Sequence, residues 1–308
     1  MRNVSYLNKI ERILASVRHE WVDRVPIGEF YLEDGFVTKL LGLKENVQFK
    51  DRVEACELCG LDALAFSAFS SYYSRECQAP VWDGLKQWRK ETDFFIFAII
   101  DGPFQGTAKH FSSFSEFLMA IAKRDPIILE LAAKVAVANI QLGLEALKLG
   151  ANGLIIADDI AYQRGTFISP NHLREFFFPS LRDQVSTLQA QKSPIFFHAD
   201  GNIIPVLTDI MASGVNGLHS LDFSSLDDLA DVKKATNNSL CLMGGYDLTW
   251  FSEENRMEKA AELLAVAAGG GGYIFGSSAG ILGSELPAKQ VADVYQYVSK
   301  LGNSYGSK

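Results

Sequence analysis

Residues 194–202 read PIFFHADGN, from Pro194 to Asn202. Four apolar or ring-bearing residues run straight into a histidine, an aspartate and a glycine. A short apolar run bounded by turn formers is the pattern of a strand buried on both faces. Such a strand has no room for an unpaired imidazole or carboxylate, because burial without a partner is costly. His198 and Asp200 therefore either satisfy each other in a core or point into a site. Side chains alternate along a strand, so these two share a face.

The same pattern recurs on both sides. Apolar runs stand at 25–30 (VPIGEF), 61–69 (LDALAFSAF), 94–100 (FFIFAII), 153–159 (GLIIADD), 194–200 (PIFFHAD), 215–220 (VNGLHS), 239–245 (SLCLMGG) and 272–278 (GYIFGSS). Amphipathic helical patterns lie between them, with fitting start and stop signals. Ser112 and Ser113 precede FSEFLMAIAKR, Asp125-Pro126 opens a long helix that Gly150 closes, and Ser169-Pro170 and Leu286-Pro287 open two more. Alternating strands and helices predict an α/β fold, a single (β/α)8 TIM barrel spanning 1–308 with an N-terminal helical extension. A doubly wound open sheet is the competitor. It would place a glycine-rich loop after the first strand, and none is there. The run at 269–272 (GGGG) precedes a strand and reads as a helix end.

The composition is that of a globular chain: 308 residues, 48% hydrophobic and 21% charged. The net charge of -8, without a basic run, argues against nucleic acid. No secretory signal core stands at the start, and the apolar stretch 126–149 is interrupted by Glu130, Lys134 and Glu145, so no membrane partner is expected. The expected compartment is the cytoplasm. Cys56 and Cys59 form a lone CxxC; without a second pair they read as small apolar residues under a helix rather than a zinc or redox site.

In a barrel, chemistry sits at the carboxyl ends of the strands. Asp158 and Asp159 end the fourth expected strand, His198 and Asp200 the fifth, and His219 the sixth. Adjacent Asp158 and Asp159 cannot share a face, so one should meet the mouth and the other bond backbone or a neighbouring loop. The candidate catalytic residues are Asp158, Asp159, His198 and His219. Against each stands a bland alternative: His198 with Asp200 as a structural tie, and His219 as a hydrogen-bonded core histidine. Around the other strand ends Glu29, Tyr31, Asp222, Gly244 and Ser278 are candidates for binding a small-molecule substrate. Glu29, Glu33 and Asp34 make that side acidic, which would repel a polycarboxylate.

The blocks ERILASVRHEWVDRVPIGEF, ADDIAYQRGTFISPNHLREFFFPSLRDQV, PIFFHADGNIIPVLTDIMASGVNGLHSLDF and GSSAGILGSELPAKQV, in this order and over almost the whole chain, resemble the uroporphyrinogen decarboxylase superfamily. The resemblance implies a (β/α)8 barrel with its ligand at the carboxyl-end mouth. The superfamily holds cofactor-free decarboxylases and cobalamin-dependent methyltransferases that exchange a methyl group with a corrinoid protein, many with zinc. The decarboxylases clamp their substrate with arginines after the first strand; here EFYLEDGF has none, and the late Gly-His segment is SSAGI. The thiol methyltransferases hold zinc with a His-x-Cys and a later cysteine. Here His198 matches the histidine, Asp200 stands for the first cysteine, and no cysteine falls near 277–280. The resemblance thus implies an N/O metal site of His198, Asp200 and Glu33, with Asp159 or His219 as further candidates and zinc as the ion. The expected activity is corrinoid-dependent demethylation of a small methylated or methoxylated substrate, with the corrinoid on a separate protein. A homodimer is an allowed assembly. The alternatives are decarboxylation of uroporphyrinogen or another acid, and a barrel that binds without catalysis.

Overall fold

The computed structural model describes residues 6–67, 82, 84–222, 226–237 and 239–302. Seven parallel strands form one curled sheet: β1 (Ala63–Ser67), β2 (Phe95–Asp101), β3 (Gly153–Ala157), β4 (Ile195–His198), β5 (Gly217–His219), β6 (Cys241–Tyr246) and β7 (Tyr273–Ser277). They stand side by side in chain order, and helices lie between successive strands. Strictly sequential parallel order, buried on both faces, is the arrangement of a TIM barrel. All seven residues of β2 and all five of β3 are buried.

The predicted first strand at 25–30 takes a different form. Residues 26–30 bridge β7 at Ile27–Phe275 and β1 at Gly28–Ala63, so they occupy the eighth position between the two outer strands. They do not form a continuous ladder. The Ile27 carbonyl accepts from both Asp62 and Ala63, and the Gly280 carbonyl accepts from both Phe30 and Tyr31. The chain then leaves β7 and pairs as Tyr31–Leu32 with Ile281–Leu282. The fit at Gly28 is tight: a Cβ there would lie 2.9 Å from the Met243 Cε, 3.2 Å from the Ile274 Cγ2 and 3.3 Å from the Ala63 methyl.

Apart from the third, the other strands are shorter than their apolar runs. The second was expected at 61–69, of which 68–69 fall outside the described residues, and the fourth stops at Ala157, so Asp158 and Asp159 already belong to a loop. Likewise the fifth stops at His198 and leaves Asp200 exposed. The third runs one residue further than expected and ends on Asp101.

Contacts gather the chain into two compact units: residues 1–65, 87–96 and 219–308, and residues 66–86 and 97–218. In the first, the N-terminal helix Lys9–Val17 opens with a capping box of Asn8 and Glu11. It carries Arg12 inward, where the guanidinium meets Asp23 at 2.7 Å and the fully buried Asp62 at 2.6 Å. Arg24 adds a second guanidinium on Asp62 at 2.7 Å. In the second unit, Ser113 caps the helix Phe114–Ala122, Gly150 ends Ile127–Leu149 in the left-handed conformation, and Ser169 caps Pro170–Phe176, as their sequences predict. The helix Ile127–Leu149 is long and apolar enough to cross a membrane by length and composition, which the sequence reading did not anticipate. Its buried residues, among them Ile128, Ala132, Val135, Asn139 and Ala146, recur at helical spacing and form a packed face.

Candidate functional site

The site is built at the carboxyl ends of β2, β3 and β4, within the second unit. Asp101 closes β2 and is held from two sides. Asn139 and Gln184 donate to its carbonyl at 2.7 and 3.0 Å, and Lys109 and Gln105 reach its carboxylate at 2.5 and 3.3 Å. Gly102 and Pro103 follow and start the helix Pro103–Ala108, which has no side-chain cap of its own. Asp158 supplies one from the next strand end. Its carboxylate accepts the N–H of Gln105 at 2.7 Å and that of Phe104 at 3.3 Å. Gly102 makes room for it, since a Cβ there would lie 2.2 Å from the Asp158 Cβ and Cγ.

Asp158 is therefore buried and committed to backbone, while its neighbour Asp159 is half-exposed. The division matches the expectation, although both acids stand past the strand end and the loop, not strand alternation, sets their directions. Burial pushes the Asp158 pKa up to about 8; its two N–H donors oppose the shift, and Asp101 and Asp159 add to it.

Asp159 faces the site. Its backbone N–H donates to the Gln105 side-chain carbonyl at 3.2 Å, and its carboxylate accepts the Asp200 N–H at 3.2 Å. The same carboxylate lies 4.0 Å from His198 Nε2. One ligand atom from each of Asp159, His198 and Asp200 lies within 4.8 Å of the others. His198 is buried and Asp200 exposed, so the grouping is anchored on one side and open on the other. An imidazole with two carboxylates is an N/O donor set that could hold a divalent metal ion. The three donor atoms stand close enough together to share one ion, and no sulfur belongs to the group.

The Asp200 loop is pinned. Gly201 has φ +82°, and a Cβ there would meet the Tyr162 backbone at 2.5 Å. The Asn202 N–H donates to the Tyr162 carbonyl at 2.9 Å, which ties the loop to the hairpin Ala161–Tyr162/Gly165–Thr166. This fixes Asp200 beyond the strand end, where alternation no longer governs its direction.

The remaining candidates belong to the first unit. Glu29 is fully buried; it accepts the Ser277 N–H at 2.6 Å and hydroxyl at 2.8 Å, and the Tyr295 hydroxyl. Burial pushes its pKa up to about 7. His219 is buried and stacks on Phe30 at 4.2 Å, beside Gly280. Glu33, expected as a metal ligand, accepts from the Ser284 N–H and hydroxyl at 2.8 and 2.9 Å and is not one of the three residues of the grouping. Gly244 has φ +102° and accepts from the Tyr273 hydroxyl at 2.7 Å; it sits where a Cβ would strike the Ser220 carbonyl. Tyr31 and Asp222 are exposed, and Ser278 is half-buried and donates its N–H to the Tyr246 carbonyl. Cys56 and Cys59 are buried thiols, and burial pushes Cys59 up to about 12, which fits the packing role read from the sequence.

Gln105 and Asp101 escaped the sequence reading. The signal that could have found them is the DGP triplet at 101–103, an acid on a strand end followed by a helix-opening proline.

The chain is similar over nearly its full length to proteins of known kind. A methyltransferase from Methanosarcina mazei superposes with a TM-score of 0.76, at 18% identity, covering 96% of this chain and 99% of that one. An archaeal fructose 1,6-bisphosphate aldolase superposes at 0.51 and 11% identity, over 95% of this chain and all of that one. At such identities the likeness is one of fold. In sequence, a uroporphyrinogen decarboxylase from Thermoplasma acidophilum is 20% identical over 281 residues, covering 90% of this chain and 82% of that protein. The model of the uroporphyrinogen decarboxylase (URO-D) family matches residues 73–301, and the chain belongs to that family.

Proposed function

We propose that this barrel is a metal-assisted methyltransferase that demethylates a small methylated or methoxylated substrate, with a corrinoid on a separate protein as acceptor. The grouping of Asp159, His198 and Asp200 carries the reading. The methyltransferase from Methanosarcina mazei with the same fold supports it.

Asp159, His198 and Asp200 would hold the ion. When bound, it would supply Lewis acidity to the substrate heteroatom that loses the methyl group. That heteroatom keeps the bonding electron pair, so charge must be offset there. The chain contributes position. His198 is fixed by burial in β4, Asp200 by the Gly201 turn, and Asp159 by Gln105. Asp158 stays out of the chemistry and keeps the helix Pro103–Ala108 in place.

A second reading, decarboxylation, draws on the Thermoplasma acidophilum relative. The segment EFYLEDGF, with three acids and no arginine, speaks against a polycarboxylate substrate. One experiment separates them. Zinc-loaded protein is incubated with a panel of methoxylated aromatics and reduced cobalamin, and corrinoid absorbance is followed; a parallel sample receives uroporphyrinogen. Methyl transfer in the first and no coproporphyrinogen in the second is expected. Coproporphyrinogen formation overturns the proposal.

A further inference from the structure

We infer that Gln105 is a positioning residue that sets the cation affinity of the Asp159–His198–Asp200 grouping, an inference that rests on the metal reading above. Its three polar groups serve three partners. The backbone N–H donates to Asp158 at 2.7 Å, the side-chain amide donates to Asp101 at 3.3 Å, and the side-chain carbonyl accepts the Asp159 N–H at 3.2 Å.

Upstream of Gln105 everything is anchored. Asp101 is held by Lys109 at its carboxylate and by Asn139 and Gln184 at its carbonyl. Downstream, Asp159 lies in a loop after β3, is half-exposed, and binds the Asp200 N–H. Gln105 ties the loop backbone to the rigid end of β2, so the carboxylate is held toward His198 before an ion arrives. Outer partners that hydrogen-bond the ligand side chain itself are worth about 10–100-fold in metal affinity, and Gln105, which acts on the ligand's backbone, belongs at the low end of that range.

Glutamine suits this position for a chemical reason. It must donate to a carboxylate and accept from an N–H at the same time, which an amide does and a carboxylate does not. A glutamate would face Asp101 with like charge. That supplies a rescue. Gln105→Glu combined with Asp101→Asn exchanges the donor and acceptor and keeps the total charge.

The test is Zn2+ affinity of the full chain, measured by competition with a chromophoric chelator, with thermal melts alongside. Wild type should bind and His198→Ala should not. Gln105→Met, which keeps length and loses both polar ends, should bind about tenfold more weakly. The double variant Gln105→Glu/Asp101→Asn should recover to within about threefold of wild type, a return that general destabilisation would not give. Failure of wild type to bind Zn2+ overturns the metal reading and this inference with it. Binding by wild type with Gln105→Met equally tight, or a double variant no tighter than Gln105→Met, overturns this inference alone. Where Gln105→Met fails to fold, Gln105→Glu alone takes its place: it should bind about tenfold more weakly than the double variant, and equal binding by the two overturns the inference.

Discussion

Gly102→Ala should cost about 3 kcal/mol of stability and weaken the site with it. The added methyl would lie 2.2 Å from the Asp158 Cβ and Cγ and 2.5 Å from Oδ2. Comfortable carbon contacts are about 3.5–4.0 Å, so more than an ångström must be found. Conformation is not the obstacle, because φ at Gly102 is an ordinary −86°. Either the backbone moves, at about 1–3 kcal/mol for an overpacked core, or Asp158 is driven out. In the second case the buried N–H of Phe104 and the part-buried N–H of Gln105 lose their acceptor, at about 1–3 kcal/mol for the buried one and less for the other. Gly106 four residues on is the control. A Cβ there is too close only to the Val135 Cγ1 methyl, at 2.4 Å, with the Asp101 Cβ in ordinary contact at 3.6 Å, and alanine in a helix gains about 0.8–1.0 kcal/mol over glycine. Gly106→Ala should therefore cost less than Gly102→Ala. Urea unfolding of both variants measures the two values. A Gly102→Ala protein within about 0.5 kcal/mol of wild type, or one no less stable than Gly106→Ala, would refute the packing argument.

Two further perturbations probe the other unit. Asp62→Ala leaves Arg12 and Arg24 without their shared buried carboxylate and the Ile27 N–H without its acceptor; the loss should be about 3–5 kcal/mol in urea unfolding, and a loss below about 1 kcal/mol contradicts it. Glu29, with an ordinary value of 4.5 pushed up to about 7, holds its proton more tightly folded than unfolded. Its contribution is full below pH 4.5 and is lost as pH rises toward and through 7. Asp158 acts in the same direction between 3.8 and about 8. Melting temperatures taken from pH 5 to 8 should fall more gently in Glu29→Gln than in wild type, and an unchanged slope would remove the argument.

The sequence carried the barrel because buried parallel strands leave a simple trace, an apolar run between helical patterns. Its errors lie where backbone pairing, not hydropathy, sets the boundary. Residues 25–30 look like any other strand, yet two carbonyls that each accept two N–H groups break the ladder there. Strand ends were placed too late at Asp159 and Asp200 because an acid after an apolar run does not show where the ladder stops.

The site divides in the same way. Alternation separated Asp158 from Asp159, and the structure assigns one to backbone and the other to the open grouping. Glu33 and Glu29 drew attention as acids near a strand end. Their partners, Ser284, Ser277 and Tyr295, lie more than 200 residues away in sequence, so their commitment was invisible there. Gln105 was overlooked because a glutamine in a six-residue helix carries no charge and no periodic signal.

The metal content of the protein tests the proposed chemistry most directly. Wild type, His198→Ala and Glu33→Gln are loaded with Zn2+, dialysed and analysed by elemental mass spectrometry. Stoichiometric zinc is expected in wild type and in Glu33→Gln, whose carboxylate is already bound to Ser284, and none in His198→Ala. Zinc absent from wild type, or retained in full by His198→Ala, would contradict a metal centre built on Asp159, His198 and Asp200.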